Sequence, residues 1–174
     1  DNFSQVADVI VIGGGSAGCS VAYHLTKLGI NNVVLVERKQ LTCGTTWHAA
    51  GLVTQLRATR RMTELAKYTG ELFSNLEKET GQATGFKKRG SLRVAKTEAR
   101  FEELKRGASM GRNFGLPVEM VSPGEIKERW NQINTDDLVG GFWFPNDGQV
   151  IHTDVHLANA KGAATAGTKT IEKT

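Results

Sequence analysis

Three glycines near the start of the chain have the spacing needed to bind a pyrophosphate. Gly13, Gly15 and Gly18 follow the apolar run at residues 9–12 in the pattern G-x-G-x-x-G. Gly13 permits a tight turn out of a strand, Gly15 has no side chain to exclude a pyrophosphate, and Gly18 lets a helix pack closely. The phosphates would meet the helix N-terminus, where free N–H groups and the helix dipole favour negative charge.

An acid, Glu37, closes a second apolar run at residues 33–36. A carboxylate at this distance from the glycines accepts hydrogen bonds from ribose hydroxyls and argues against a cofactor with a 2′-phosphate. NAD and FAD both stay open at this point. An ordinary strand-turn-helix without a ligand is the alternative interpretation.

The segment between the two apolar runs favours a dinucleotide-binding βαβ unit. It predicts a helix with one apolar face, followed by Gly29 as its C-terminal cap. The residues predicted on that face are Val21, Ala22, Leu25 and Leu28.

The run at residues 41–52 is small and polar around one Trp-His pair. Small residues let the backbone approach a flat ligand closely. His48 is the only imidazole of this run, and it is therefore the residue whose role needs explaining.

With these features the sequence resembles the FAD-dependent dimethylglycine and sarcosine dehydrogenases and their oxidase relatives. The resemblance covers nearly the whole chain, and its matching segments are the glycine run, residues 44–52 (GTTWHAAGL), 76–81 (LEKETG), 90–95 (GSLRVA) and Asp147-Gly148. In that family the histidine of the Trp-His-Ala-Ala-Gly stretch is bonded through a ring nitrogen to the 8α-methyl of the flavin. By position, that histidine is His48.

The resemblance implies a cofactor site for FAD that joins the glycine run, the acid and the Trp-His stretch. Its residues are Gly13, Gly15, Ser16, Ala17, Gly18, Glu37, Arg38, Gly44, Thr45, Thr46, Trp47, His48, Ala50, Gly51 and Leu52. A neutral imidazole carries a free lone pair near pH 7 and can attack the 8α carbon of a flavin that has lost a methyl proton. Attachment would retain the cofactor and make it a stronger oxidant. A histidine that only hydrogen-bonds within a loop is the alternative.

The family's activity is oxidation of the N-methyl group of a secondary or tertiary amine such as dimethylglycine or sarcosine, with hydride transfer to the flavin. Tetrahydrofolate and an electron-transfer flavoprotein are further partners that the resemblance implies. A non-catalytic flavin- or nucleotide-binding regulatory relative of the same fold is the second possibility. An NAD-dependent dehydrogenase is a third, but it gives the Thr-Trp-His run no task.

The predicted fold is α/β: a discontinuous, Rossmann-like FAD-binding domain with the start of an inserted α+β substrate domain. Residues 1–85 would form the first segment of the FAD-binding domain, 86–144 the start of the substrate domain, and 145–174 the return to the FAD-binding sheet. The family is several times longer than this chain, so the chain is expected to be truncated. The catalytic groups are expected beyond Thr174.

The remaining elements follow from periodicity and capping signals. Helices are predicted at residues 59–78, with Met62 and Phe73 in the core, and at 97–114, with Phe101, Leu104 and Ala108 on one side. Residues 122–125 form a capping box with Pro123 at the first position, so a short helix should run to about Trp130. Strands are predicted at 86–96 and 138–144, with a turn at 145–148.

Two histidines, His152 and His156, stand at i and i+4, a spacing that can bind zinc. A zinc site needs a third ligand, and none is visible nearby. We instead expect Thr153 or Asp154 to cap a helix, with both histidines at its exposed start.

Composition indicates a globular chain rather than a membrane protein. The hydrophobic fraction is 39%, and no apolar stretch approaches the ~18 residues of a membrane span. The net charge is +4 without a nucleic-acid motif. Cys19 and Cys43 predict reduced thiols, so we expect bacterial cytoplasm or the mitochondrial matrix.

Overall fold

The computed structural model describes residues 6–174, so the first five residues of the segment predicted at 1–85 lie outside the described part. In chain order the elements are β1 (Val9–Ile12), α1 (Ser16–Lys27), β2 (Val33–Glu37), a 3₁₀ turn (Thr45–His48), β3 (Leu52–Val53), α2 (Arg60–Thr80), β4 (Ser91–Ala95), α3 (Glu98–Asn113), β5 (Glu119–Val121), α4 (Pro123–Arg129), β6 (Gly140–Phe144), β7 (Gly148–Gln149), α5 (His152–Thr165) and β8 (Lys169–Glu172).

The chain divides into two compact units. The first contains the described residues up to Leu52, together with Leu72–Phe86 and Val150–Thr174. The second contains Val53–Glu71 and Lys87–Gln149. The assignment of residues 86–144 to a substrate domain stays a prediction.

A three-stranded parallel sheet in the order β1-β2-β8 forms the centre of the first unit. Val9 pairs with Val33, and Val34 pairs with Lys169. The last strand of the chain therefore lies beside the second. This discontinuous parallel sheet with its helices confirms the predicted Rossmann-like α/β class.

Helix α1 packs on α5 through small side chains. Ala22, Ala158 and Ala163 are fully buried. Gly162 of α5 has no room for a side chain, because a Cβ there would lie 2.6 Å from the ring of Tyr23. This close approach leaves no space for a broad aliphatic stripe between the helices.

The face of α1 was predicted only in part. Ala22 is buried, but Val21 and Leu28 are exposed, and Cys19 and Tyr23 take the core positions instead. Gly29 follows the helix with φ +86°, as a C-terminal glycine should.

The second unit contains an antiparallel sheet in the order β4-β6-β5, on which α3 and α4 pack. Its core is one cluster of buried side chains: Leu56, Ala95, Leu104, Ala108, Leu116, Val118, Phe142 and Phe144. Thr97 caps α3, and Ser122 and Glu125 form the predicted capping box of α4. The predicted helices at 97–114 and 122–130 are confirmed, whereas the short strand β5 was missed.

Asp147 connects the segments of the second unit. Its side chain is 1% exposed, and its two carboxylate oxygens accept hydrogen bonds from the Gln55 N–H and the Ser91 hydroxyl. Its own carbonyl accepts from the N–H of Gly90 at 2.7 Å. The Asp147-Gly148 pair is therefore a structural feature of the unit.

Helix α2 begins one residue after the predicted start, because Thr59 caps it through bonds to the N–H groups of Met62 and Thr63. Phe73 is buried as predicted. Met62 is 51% exposed, so its assignment to the core is wrong. Among residues 6–174, no helix is long and apolar enough to cross a membrane.

Candidate functional site

The glycine turn after β1 has the backbone geometry that its sequence predicts. Gly13 has φ +105°, and its N–H donates to the carbonyl of Val36 at 2.7 Å. A Cβ at Gly18 would lie 1.8 Å from the carbonyl oxygen of Gly13 and 3.5 Å from Leu35 Cδ1. The missing side chain at Gly18 therefore matters mainly for the close approach of α1 to the glycine turn, and less for the packing of α1 on the sheet.

The N-terminus of α1 faces this turn and has no acidic residue in its own first turn. Its first turn, Ser16, Ala17 and Gly18, contains no carboxylate, and Gly15 at the cap position has no side chain. The N–H of Ser16 donates to Thr46 Oγ1 at 3.0 Å. The remaining donors and the helix dipole suit an anion such as a phosphate.

Glu37 ends β2 with its carboxylate held by backbone donors. Its oxygens accept from the N–H of Gly14 at 2.7 Å and from the N–H of Lys39 at 2.9 Å. These bonds lower the pKa of Glu37 below its usual value, the Gly14 bond most strongly. A carboxylate has about four lone-pair positions, so an ionised Glu37 keeps capacity for ribose hydroxyls.

A cavity of about 180 Å³ lies at the carboxyl ends of β1 and β2. It is smaller than the roughly 300–1,000 Å³ of pockets that enclose drug-sized ligands, so it has room for part of a dinucleotide and not for the whole. Its lining residues are Gly15, Glu37, Arg38, Lys39, Thr42, Cys43, Gly44, Thr45 and Thr46. The structure thus brings the glycine turn, the acid and the start of the Trp-His stretch together.

Three lining residues were missed by the sequence analysis: Lys39, Thr42 and Cys43. Thr42 has φ +64°, and its N–H donates to the carbonyl of Gly14 at 2.8 Å, which folds the loop back onto the glycine turn. Their only signal in the sequence is their position between Glu37 and Gly44.

The Trp-His stretch continues from this cavity as an exposed 3₁₀ turn. Trp47 is 56% exposed, and its ring centroid lies 4.8 Å from that of His48. Trp47, His48, Ala50, Gly51 and Leu52 do not line the cavity. Thr46 joins the two parts, since its buried hydroxyl contacts α1 and its carbonyl accepts from the N–H of Ala49.

The two histidines of α5 have different surroundings. His152 Nε2 lies 2.6 Å from the carbonyl oxygen of Trp47. His156 packs against Phe73, with ring centroids 6.2 Å apart, and its buried Nδ1 has no hydrogen-bond partner within residues 6–174. Burial, and secondarily the neighbouring His152, lowers the pKa of His156.

The predicted start of α5 is therefore wrong in two respects. The helix begins at His152, and neither Thr153 nor Asp154 caps it, because the N-cap position is Ile151. His156 is inside the unit rather than at an exposed helix start. No group of three or more His, Cys, Asp or Glu side chains within the described range is placed to hold a metal ion.

Curated proteins similar to this chain include two dehydrogenases and a regulatory subunit. Human mitochondrial sarcosine dehydrogenase is 42% identical over 97% of the chain, and rat mitochondrial dimethylglycine dehydrogenase is 37% identical over 92%. The mitochondrial pyruvate dehydrogenase phosphatase regulatory subunit of mouse is 38% identical over 97%. The chain spans only 18% to 19% of the length of these relatives.

A solved structure and a family model agree with these relatives. The L-proline dehydrogenase of P. horikoshii superposes with a TM-score of 0.90 at 25% identity, over 98% of this chain and 45% of that one. The model of the DAO family, described as FAD dependent oxidoreductase, matches residues 8–174. With the glycine turn, Glu37 and the discontinuous parallel sheet, this match shows that the chain belongs to the DAO family of FAD-dependent oxidoreductases.

Proposed function

We propose that this chain binds the pyrophosphate and the adjoining ribose of FAD at the cavity between the glycine turn and Glu37. The observation that carries the proposal is that one cavity is bordered both by a helix N-terminus without an acid in its first turn and by the carboxylate of Glu37. The α1 N-terminus would bind the pyrophosphate, and the carboxylate of Glu37 would accept from the ribose hydroxyls. Thr46 and Gly15 would line the passage between the two.

We further propose that His48 is bonded to the flavin. His48 lies on an exposed turn that begins at the cavity wall, so its imidazole is accessible to a ligand extending out of the cavity. The short 3₁₀ turn fixes its backbone relative to Thr46. FAD would thus be held at two places, at the cavity and, through its flavin, at His48.

The activity we propose is oxidation of the N-methyl group of a secondary or tertiary amine, as in dimethylglycine or sarcosine. The similarity to two dehydrogenases named for these substrates supports this choice. Bound FAD would supply the two-electron acceptor, and the residues described above would bind and orient it. Tetrahydrofolate, an electron-transfer flavoprotein, and a place in the mitochondrial matrix or bacterial cytoplasm belong to the same proposal.

Acid precipitation of the native protein tests the covalent bond. The precipitate should stay yellow, and peptide mapping should find a flavin adduct on the peptide that contains His48. The variant His48→Gln should release its flavin into the supernatant. Free FAD from the wild type, or an adduct on a peptide with another histidine, would contradict the proposal.

A flavin-binding regulatory module is the second candidate, since the mouse regulatory subunit is 38% identical to this chain. Anaerobic titration of the native flavoprotein with sarcosine or dimethylglycine distinguishes the two. Loss of the flavin absorbance on addition of amine supports the enzyme. A flavin that stays oxidised with these and other N-methyl amines, yet is reduced by dithionite, supports the regulatory module.

A further inference from the structure

The Trp-His stretch is attached to the start of α5 at two points. At one, His152 Nε2 lies 2.6 Å from the Trp47 carbonyl oxygen. At the other, the N–H of Val150 donates to the carbonyl of Gly51 at 2.8 Å. The two attachments lie on either side of His48 in the sequence, so together they fix both ends of the segment that carries it.

The packing at Gly51 shows how closely the two segments approach. Gly51 has φ +70°, and a Cβ there would lie 2.4 Å from the carbonyl oxygen of Val150 and 3.8 Å from His152 Nδ1. Only glycine fits this position without displacing the backbone. The segment therefore lies directly against residues 150–152.

The chemistry of the His152 contact has one possible direction. A carbonyl oxygen only accepts, so Nε2 of His152 must carry the hydrogen and donate it. Because Nε2 carries a hydrogen that is bonded to the loop, it has no free lone pair with which to bind a metal ion. Of the histidine pair that the sequence singled out, His152 therefore acts on the Trp-His stretch, while His156 packs inside the unit.

We propose that His152 is a positioning residue that holds the Trp47 carbonyl and so fixes the adjacent His48 for attachment to the flavin. The second half of this inference rests on the proposed function. In the attachment, an imidazole nitrogen of His48 loses its hydrogen and bonds to the 8α carbon, which loses one C–H hydrogen. The flavin takes up these two hydrogens with their electrons, and molecular oxygen then accepts them as hydrogen peroxide.

A fixed loop matters for this bond because the reacting nitrogen must stay close to the 8α carbon in a suitable orientation. The Trp47 carbonyl belongs to the peptide bond that joins Trp47 to His48, so a rotation of that carbonyl moves the His48 backbone and its side chain. Loss of the His152 bond would let the carbonyl turn toward solvent and the imidazole move with it.

Three substitutions of His152 separate the effect of its hydrogen-bond donor from the effect of its side-chain volume. In His152→Gln the amide nitrogen occupies nearly the position of Nε2 and can donate to Trp47. In His152→Asn the same amide lies near the position of Nδ1 and cannot reach. His152→Ala removes the side chain. Lys161→Ala is the matched control, because Lys161 Nζ also joins α5 to a loop carbonyl, that of Gly81, at 3.1 Å.

The first measurement is amide hydrogen exchange in native protein prepared without flavin. His152→Ala and His152→Asn should speed exchange of the Ala49 and Val150 N–H groups about three- to tenfold, the effect of losing one hydrogen bond. His152→Gln should restore wild-type exchange. Lys161→Ala should leave both amides unchanged. Equal exchange in all four variants would overturn the inference, whether or not the native protein carries covalent flavin.

The second measurement is the rate at which FAD becomes acid-stable when added to the same preparations in the presence of oxygen. His152→Ala and His152→Asn should slow it about tenfold or more, while His152→Gln and Lys161→Ala keep the wild-type rate. Unchanged rates in every variant overturn the role in attachment. A wild type that never acquires acid-stable flavin overturns both the proposed bond at His48 and this role, and hydrogen exchange still decides whether His152 positions the loop.

Discussion

Gly18 and Gly107 offer a matched pair of helical glycine-to-alanine substitutions with opposite expected effects. A Cβ at Gly107, in α3, meets no heavy atom within 4 Å beyond its own helix. A Cβ at Gly18, in α1, would lie 1.8 Å from the carbonyl oxygen of Gly13 and 3.0 Å from its carbonyl carbon. Both neighbours at Gly18 are backbone atoms, so no side-chain rotation can relieve the overlap.

The two effects can be compared from their components. Alanine is better than glycine inside a helix by about 1 kcal/mol, so Gly107→Ala should stabilise the protein by about that amount. Gly18→Ala gains the same propensity, but overpacking typically costs about 1–3 kcal/mol and here must displace backbone. Because the overlap is severe, we expect the upper end, and a net loss of about 2 kcal/mol. Displacing α1 from the turn should also weaken FAD binding.

Urea unfolding of the native apoprotein measures the two free energies, and FAD titration measures binding. We expect the unfolding midpoint to fall for Gly18→Ala and to rise for Gly107→Ala. FAD affinity should drop at least about tenfold, or about 1.4 kcal/mol, for the first variant only. If Gly18→Ala were as stable as Gly107→Ala and bound FAD like the wild type, the close approach of α1 to the glycine turn would be refuted.

Three further outcomes follow from the same geometry. Backbone hydrogen bonds, chiefly from Gly14, lower the pKa of Glu37 below its ordinary 4.5. The difference in unfolding free energy between wild type and Glu37→Gln, measured in urea, should therefore be fully present above pH 4.5 and should vanish as the pH falls through the lowered pKa. A difference that grows in acid would contradict this. Asp147→Ala should lower the free energy of unfolding by about 2–4 kcal/mol, because the Gln55 N–H and the Ser91 hydroxyl lose a charged acceptor. Equal urea midpoints for the variant and the wild type would refute this role of Asp147. Burial raises the pKa of Cys19 to about 11, so iodoacetamide at pH 8 should alkylate only the exposed Cys43. Bound FAD should slow the alkylation of Cys43. An unchanged rate would place FAD elsewhere.

Local signals in the sequence were sufficient where the interaction itself is local. The capping box at Ser122 satisfies an N–H group three residues away, so residue types alone predicted that helix start. The turn at Gly13 is equally local, because it needs a positive φ directly after a strand. The distance from the glycines to Glu37 was predictable because one strand-helix-strand unit fixes it.

The sequence was misleading where burial depends on distant segments. Met62 fits a helical apolar stripe but is exposed. Ile12 belongs to an apolar run that predicts burial on both faces of a sheet, yet it is 88% exposed among the described residues. Periodicity indicates which side chains lie on the same face of a helix or strand, but it does not indicate which segment covers that face.

The sequence by itself determined the glycine turn and the acid that follows the second strand, because each depends on residue type and short spacing. The choice of FAD came from the resemblance to a family, and the role of His48 stays a proposal. The tertiary structure alone decided that Thr42 and Cys43 enter the cavity wall and that His152 contacts Trp47. Those contacts join segments as far apart as 105 residues, and nothing in local spacing encodes such a contact. They depend on α5 and β8 returning to the first sheet, which brings residues 150–152 against the loop that carries His48.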